Sequence, residues 1–155
     1  RVDTKFKSVQ LAKDYSKEFP IILTTARLVN FSGAGMETRA SMYLSRLTPE
    51  MFADIHPELA AKHGIKNWDF VWIHSPEGTK IKVRARIVPS VKPDMIFLPF
   101  HWAGHMQGVD MTGNFPEDTK PYAVGESANT VTNYGYDIVT QIPETKGGLC
   151  RIEKA

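Results

Sequence analysis

Hydrophobic positions recur in parts of this chain with the two-residue period of strands. Lys80 to Ile87 is the clearest case. Ile81, Val83, Ala85 and Ile87 fall on one face, with Lys80, Lys82, Arg84 and Arg86 on the other. That pattern predicts a half-buried strand in a hairpin whose basic face is solvated. Asp69 to His74 predicts the strand before it, across the Pro76-Glu77-Gly78 turn. Met51 to Ile55 alternates over a shorter length, and Leu149 to Glu153 reads as a last strand. Ile21-Ile22-Leu23 and Met95-Ile96-Phe97-Leu98 are unbroken apolar runs, the mark of fully buried strands. Pro20 opens the first of these, predicted over 21–25, and Pro89 and Pro93 bracket the turn before the second.

Two stretches carry helical signals instead. Thr38 to about Leu47 is predicted as a helix capped by Thr38, with Ala40, Tyr43, Leu44 and Leu47 on one face and Pro49 closing it. His56 to Gly64 is a second, with Pro57 in the first turn and Gly64 just past the end. From Pro99 to about Glu126 the chain is rich in Gly, Pro and Asp and weakly periodic; so long an irregular connection is usually functional or mobile. Residues 1–19 are polar, with scattered Leu11, Tyr15 and Phe19, and read as an arm or linker from a preceding domain; residues 20–155 form the domain proper. The helices are too few for a doubly wound sheet. The expected fold is mainly β with short helices, a mostly antiparallel or mixed β-barrel.

Composition narrows the class. The 155 residues are 42% hydrophobic and 23% charged, which suits one soluble domain with a real core. The net charge of +2 is not gathered into a basic block, which argues against nucleic acid or a membrane surface as partner. No apolar run approaches the ~20 residues of a membrane span, so direct insertion is not expected. Cys150 is the one cysteine, without an internal disulfide partner or neighbours at metal-ligand spacing, and reads as a buried strand residue. A start at Arg1 suggests a processed product or a piece of a longer protein.

Candidate chemistry gathers around Thr24 to Arg39. Two hydroxyls and Arg27 follow the first apolar run at once, then a glycine-bearing loop ends in Thr38-Arg39. Backbone N–H groups, Thr hydroxyls and guanidinium charges suit a phosphate or pyrophosphate. On this stretch alone, a plain surface loop explains it better. His101 and His105 are four apart, but Trp102 stands where a helical zinc protease motif needs Glu, and Gly104 disfavours a helix; both are expected to line a surface or cleft. His56, His63 and His74 are isolated and expected to be exposed or capping. No nucleophile–base pair and no G-x-S-x-G turn is evident. Arg27, Arg39, Asn129 and Lys146 suit binding better than bond-breaking. The residues thus describe a β-rich module for an anionic, hydrogen-bonding ligand without naming that ligand.

Read together, the motifs resemble one family. Thr24-Thr25-Ala26-Arg27-Leu28-Val29-Asn30-Phe31 through Thr38-Arg39 resembles the T-T-G-R-L-x-E-H-W-x-T-G-T-M-T-R motif that opens the C-terminal dinucleotide-binding domain of molybdopterin oxidoreductases. Phe52 through Gly64-Ile65-Lys66-Asn67, with Asp69 and Val71, is similar to that family's F-V-E-I-x-P-E-L-A-A-x-x-G-I-x-N-G-D-x-V segment. Ser75-Pro76-Glu77-Gly78 matches its S-x-x-G hairpin. Leu98-Pro99-Phe100-His101-Trp102 resembles the I-P-x-H-W-G of formate dehydrogenases, and Ala128-Asn129-Thr130-Val131-Thr132 resembles A-N-x-L-T. Pro143-Glu144-Thr145-Lys146 resembles P-E-Y-K, and the ending Ile152-Glu153-Lys154-Ala155 is similar to that of several formate dehydrogenase large subunits. The likeness covers about residues 20–155; six motifs in order are specific where each alone is weak.

The resemblance implies a six-stranded, mixed double-psi β-barrel holding one end of a bis(molybdopterin guanine dinucleotide) cofactor with molybdenum or tungsten. It implies cofactor contacts at Thr25, Ala26, Arg27, Leu28, Val29, Asn30, Phe31, Ser32, Gly33 and Ala34, at Asn129 and at Lys146, with His101 and Trp102 approaching a substrate funnel. Arg27 and Lys146 suit phosphate, and Asn129 can donate and accept at a ring edge. The departures are Ala26 for a usual Gly, where a left-handed backbone would cost energy, Phe31-Ser32 where His-Trp is common, Glu37, and Thr145 for Tyr. Catalytic residues, metal ligands and iron–sulfur cysteines belong to earlier domains in the family, and none is assigned here. The implied parent is a formate dehydrogenase catalytic subunit, of which this domain alone is inactive. Its implied partners are the preceding domains of the same subunit, an iron–sulfur subunit and a membrane cytochrome subunit. The expected compartment is the periplasm, with the cytoplasm as the alternative. The alternatives in function are the same domain in a nitrate or other oxyanion reductase, a stand-alone non-redox binding or assembly module, and a self-contained barrel enzyme.

Overall fold

A computed structural model of the chain describes residues 13–120 and 122–155, and the backbone of 6–7. Strands β1 (Phe6–Lys7), β2 (Ile21–Ala26), β3 (Phe52–Ile55), β4 (Phe70–His74), β5 (Lys80–Ile87), β6 (Met95–Pro99), β7 (His105–Met106), β8 (Val109–Asp110), β9 (Tyr136–Asp137) and β10 (Gly148–Lys154) are joined by two short helices, α1 (Met42–Leu47) and α2 (Pro57–Lys62). Six strands close into a barrel in the order β10–β2–β6–β3–β5–β4. β2 with β6 and β3 with β5 run parallel, and the other four pairings are antiparallel. The expected six-stranded mixed barrel is therefore the fold.

Alternation builds the wall. Ile81, Val83 and Ala85 of β5 and Val71 and Ile73 of β4 point inward, where they meet Leu23, Ile96, Leu98, Cys150 and Ile152. Each large apolar side chain so buried contributes roughly 1.5–3 kcal/mol. The outward face of β5 is not merely solvated, as its pattern suggested. Lys80 lies 4.1 Å from the Trp72 ring, Arg84 3.6 Å from Phe70 and Arg86 3.9 Å from Phe52.

The first helix is shorter than predicted. Ser41, not Thr38, is its cap, with its side chain accepting from the Leu44 N–H. Thr38 instead accepts from the Ser32 N–H at 3.0 Å, tying the preceding loop into a ring. Only Leu44 of the expected apolar face packs on the core; Tyr43 and Leu47 are exposed. The second helix is as expected: Pro57 opens it, the His56 ring accepts from the Glu58 N–H at 3.2 Å, and Gly64 follows it at a φ of 64°. The long irregular connection contains the β7–β8 hairpin, pinned by fully buried Glu126. That carboxylate accepts from the Lys82 and Gln107 N–H groups at 3.1 and 3.0 Å, and from Gly108.

The predicted arm lies mainly outside the described residues; within it, β1 pairs with β9 and Phe19 is buried. Among the described residues no helix is long and apolar enough to cross a membrane.

Topology brings two loops together at one end of the barrel. Parallel strands end at the same side of a sheet, and Ala26 of β2 stands opposite Pro99 of β6. The loops that leave both strands therefore emerge side by side.

Candidate functional site

The loop after β2 is built on that adjacency. Phe31 N–H donates to Leu28 at 3.1 Å and Gly35 N–H to Ser32 at 2.8 Å, while Gly33 and Gly35 take φ values of 50° and 85°. Beneath it lies His101, two residues past β6 and 1% exposed. Its Nε2 accepts from the Leu28 N–H at 2.7 Å, and its Nδ1 stands 2.8 Å from the Gly33 carbonyl. A carbonyl only accepts, so Nδ1 carries the proton and the ring is neutral. Burial holds the His101 pKa below its usual value, against the upward pull of its bond to the Gly33 carbonyl and with the Arg27 and Arg39 charges adding to the fall.

Arg39 braces the same loop from its far end. It is 6% exposed, and its Nε donates to the Tyr122 carbonyl at 3.0 Å. Its guanidinium lies 5.0 Å from the Trp102 ring and 5.5 Å from Phe31. No carboxylate pairs with it among the described residues. Burial pushes its pKa down to about 10, which still leaves it charged at neutral pH.

The sites expected from distant parts of the chain come together at the end of β2. Thr25 Oγ1 donates to the Thr145 carbonyl at 2.9 Å, and Lys146 Nζ donates to the Thr25 carbonyl at 3.1 Å. Thr145 and Asn129 both line a cleft of about 640 Å³, together with Thr132, Asn133, Tyr134, Gly135, Tyr136, Gln141 and Pro143. Amides and phenol rings dominate this lining, and an amide presents both a donor and an acceptor. Asn129 is exposed there, as are Arg27 and Lys146 on the neighbouring segments. Within the loop, Val29 and Ser32 to Ala34 form the exposed edge, Leu28 and Asn30 are half-buried, and Phe31 is buried against Trp102.

Two outcomes differ from the sequence reading. His101 and Trp102, expected near a substrate funnel, are 1% and 4% exposed and form the floor of the loop. Ala26 costs nothing, because it ends β2 in register with Pro99 and is not left-handed. His105, four residues on, faces Asp110 at 3.5 Å. Tyr134, Tyr136 and Gln141 were missed. Their only sequence signal is a run of polar and aromatic residues with no periodicity.

The site is thus a closed mixed barrel with hydroxyls, amides and the cations Arg27 and Lys146 gathered around the end of β2. The chain matches the Molydopterin dinucleotide binding domain over residues 21–149, and it belongs to that family. It is 33% identical over 137 residues to the F420-dependent formate dehydrogenase 1 subunit alpha of Methanococcus maripaludis, covering 88% of this chain and 17% of that protein. It is 33% identical over 146 residues to the formate dehydrogenase 2 subunit alpha (cytochrome c-553) of Nitratidesulfovibrio vulgaris, covering 94% and 14%. It is also 35% identical over 96 residues to the assimilatory nitrate reductase catalytic subunit of Bacillus subtilis, covering 62% and 13%. Acetylene hydratase from Pelobacter acetylenicus shares the fold, with a TM-score of 0.64 at 17% identity over 92% of this chain and 19% of that one. The chain thus spans less than a fifth of the length of these relatives.

Proposed function

We propose that this chain holds one end of a bis(molybdopterin guanine dinucleotide) cofactor in a formate dehydrogenase. One observation carries the reading. Thr25 and Thr145, 120 residues apart in sequence, are bonded at the rim of the cleft that Asn129 also lines. The donor set fits such a group: Asn129 and Gln141 offer amide edges to a ring, Tyr134 and Tyr136 offer aromatic faces, and Arg27 and Lys146 offer charge to phosphates. When bound, the cofactor supplies the metal centre, molybdenum or tungsten, that takes two electrons as formate becomes CO₂. The chain's own work is to bind and orient it, and the domain alone is inactive.

The formate reading is favoured over nitrate because the two formate dehydrogenase subunits align with 88% and 94% of the chain, against 62% for the nitrate reductase. The same reading carries a periplasmic parent whose iron–sulfur cluster lies in its earlier domains, working with iron–sulfur and membrane cytochrome subunits.

Titration of the chain with guanosine diphosphate, followed by amide NMR shifts, tests the cradle. Shifts confined to residues 25–34, Asn129 to Tyr136 and Gln141 to Lys146 are expected. Shifts confined elsewhere, or none at saturating nucleotide, overturn the assignment of this cleft. In the whole parent, Asn129→Ala and Lys146→Ala are expected to release cofactor more readily while the domain's own melting is unchanged.

A further inference from the structure

We infer that His101 is a positioning residue, a neutral clamp whose two ring nitrogens fix the loop from Leu28 to Gly33 in the shape presented to ligand. The inference rests on the cofactor reading only for what that loop is for; the clamp itself stands on geometry. One ring atom accepts from the Leu28 N–H at 2.7 Å while the other donates to the Gly33 carbonyl at 2.8 Å. The two contacts lie five residues apart and hold both ends of one turn, and the Phe31 N–H to Leu28 bond closes that turn from within. An imidazole meets both demands only as the Nδ1–H tautomer. Protonation would place an N–H at Nε2 against the Leu28 N–H, donor facing donor.

The surroundings oppose that protonation. The ring lies between Phe31, Phe100 and Trp102, with centroids 5.3, 5.2 and 6.0 Å away. The charged groups acting on it are both cations, Arg27 and Arg39. Tyr122 and Thr119 line the same small cavity beside it, and no carboxylate pairs with the ring among the described residues. A histidine held below its ordinary pKa of about 6.5 contributes fully above that pH. Its contribution fades as pH falls from there through the lower folded value.

Three measurements on the 155-residue chain test this without any ligand. Long-range nitrogen–proton correlation of the ring at pH 7 is expected to show a neutral Nδ1–H imidazole; a charged ring or an Nε2–H tautomer overturns the clamp. Leu28 amide exchange in His101→Phe is expected to quicken at least tenfold, with Ile73 and Val83 unchanged; unaltered Leu28 exchange overturns it. His101→Gln keeps an acceptor near Nε2. It should restore much of the Leu28 protection while abolishing the loss of protection that wild type shows below about pH 6.5; persistence of that loss in the Gln variant overturns the assignment to His101. If the Phe variant fails to fold, the tautomer measurement on the unaltered chain still decides. A loop that stays clamped by these readouts but gives no shift with guanosine diphosphate supports the clamp and counts against the cofactor reading instead.

Discussion

Arg86 and Asp54 show how single residues tie the barrel wall together. Arg86 Nε and Nη2 reach the two carboxylate oxygens at 2.6 and 2.8 Å, and the guanidinium lies over the Phe52 ring. Asp54 is 7% exposed at its side chain and Arg86 37%, so the carboxylate is the buried member. Arg86→Met should therefore cost on the order of 2 kcal/mol, below the roughly 3–5 kcal/mol of breaking a fully buried pair, because solvent screens one partner. Adding Asp54→Leu should recover much of that loss, since the stranded charge goes with it. Urea unfolding of the unaltered chain, the single variant and the double variant measures both steps. Equal stability of the single and double variants would show that the stranded carboxylate carries no cost.

At the scale of elements, the connection from Pro99 to Glu126 is held by close backbone approach. A Cβ at Gly104 would sit 1.5 Å from the Ala123 carbonyl oxygen. Gly104 N–H and His105 N–H both donate to the Gly125 carbonyl at 2.9 Å. Gly104→Ala should therefore push the Ala123 segment away and cost at least about 2 kcal/mol, with the melt still cooperative because no barrel strand is touched; a thermal melt reads it. None of this closeness was legible in sequence, where the segment showed only Gly, Pro and Asp without a period. The strands were legible because alternation in Lys80 to Ile87 and the apolar runs at Ile21 and Met95 report burial locally. The helix cap was misplaced because Thr38 and Ser41 are both favourable cap types, and a contact to Ser32 engages Thr38 instead. The candidate site divides in the same way. Asn129, Lys146 and the Thr25 loop were singled out through motifs. The role of His101 depends on partners 73 and 68 residues away and leaves no periodic trace.

Over the whole molecule, closure is the work of the last strand. β10 pairs with β2 through Gly148 to Cys150 and with β4 through Arg151 to Lys154, so one strand joins the two ends of an otherwise open sheet. Its Cys150 and Ile152 side chains are buried in the common core. Removing residues 148–155 would leave β2 and β4 with unpaired edges and open one wall of that core. The other five strands cannot rearrange to close the gap, because the parallel pairs β2–β6 and β3–β5 are fixed by the long crossovers that join them. The truncated chain is therefore expected to lose its cooperative melt and to bind a hydrophobic dye, whereas Cys150→Ala, which keeps every backbone pair, should only lower the midpoint. Circular dichroism melts with dye fluorescence distinguish the two. A cooperative melt without β10 would mean that the five remaining strands and the loops over them hold the fold, and that closure shapes the binding end without stabilising the barrel.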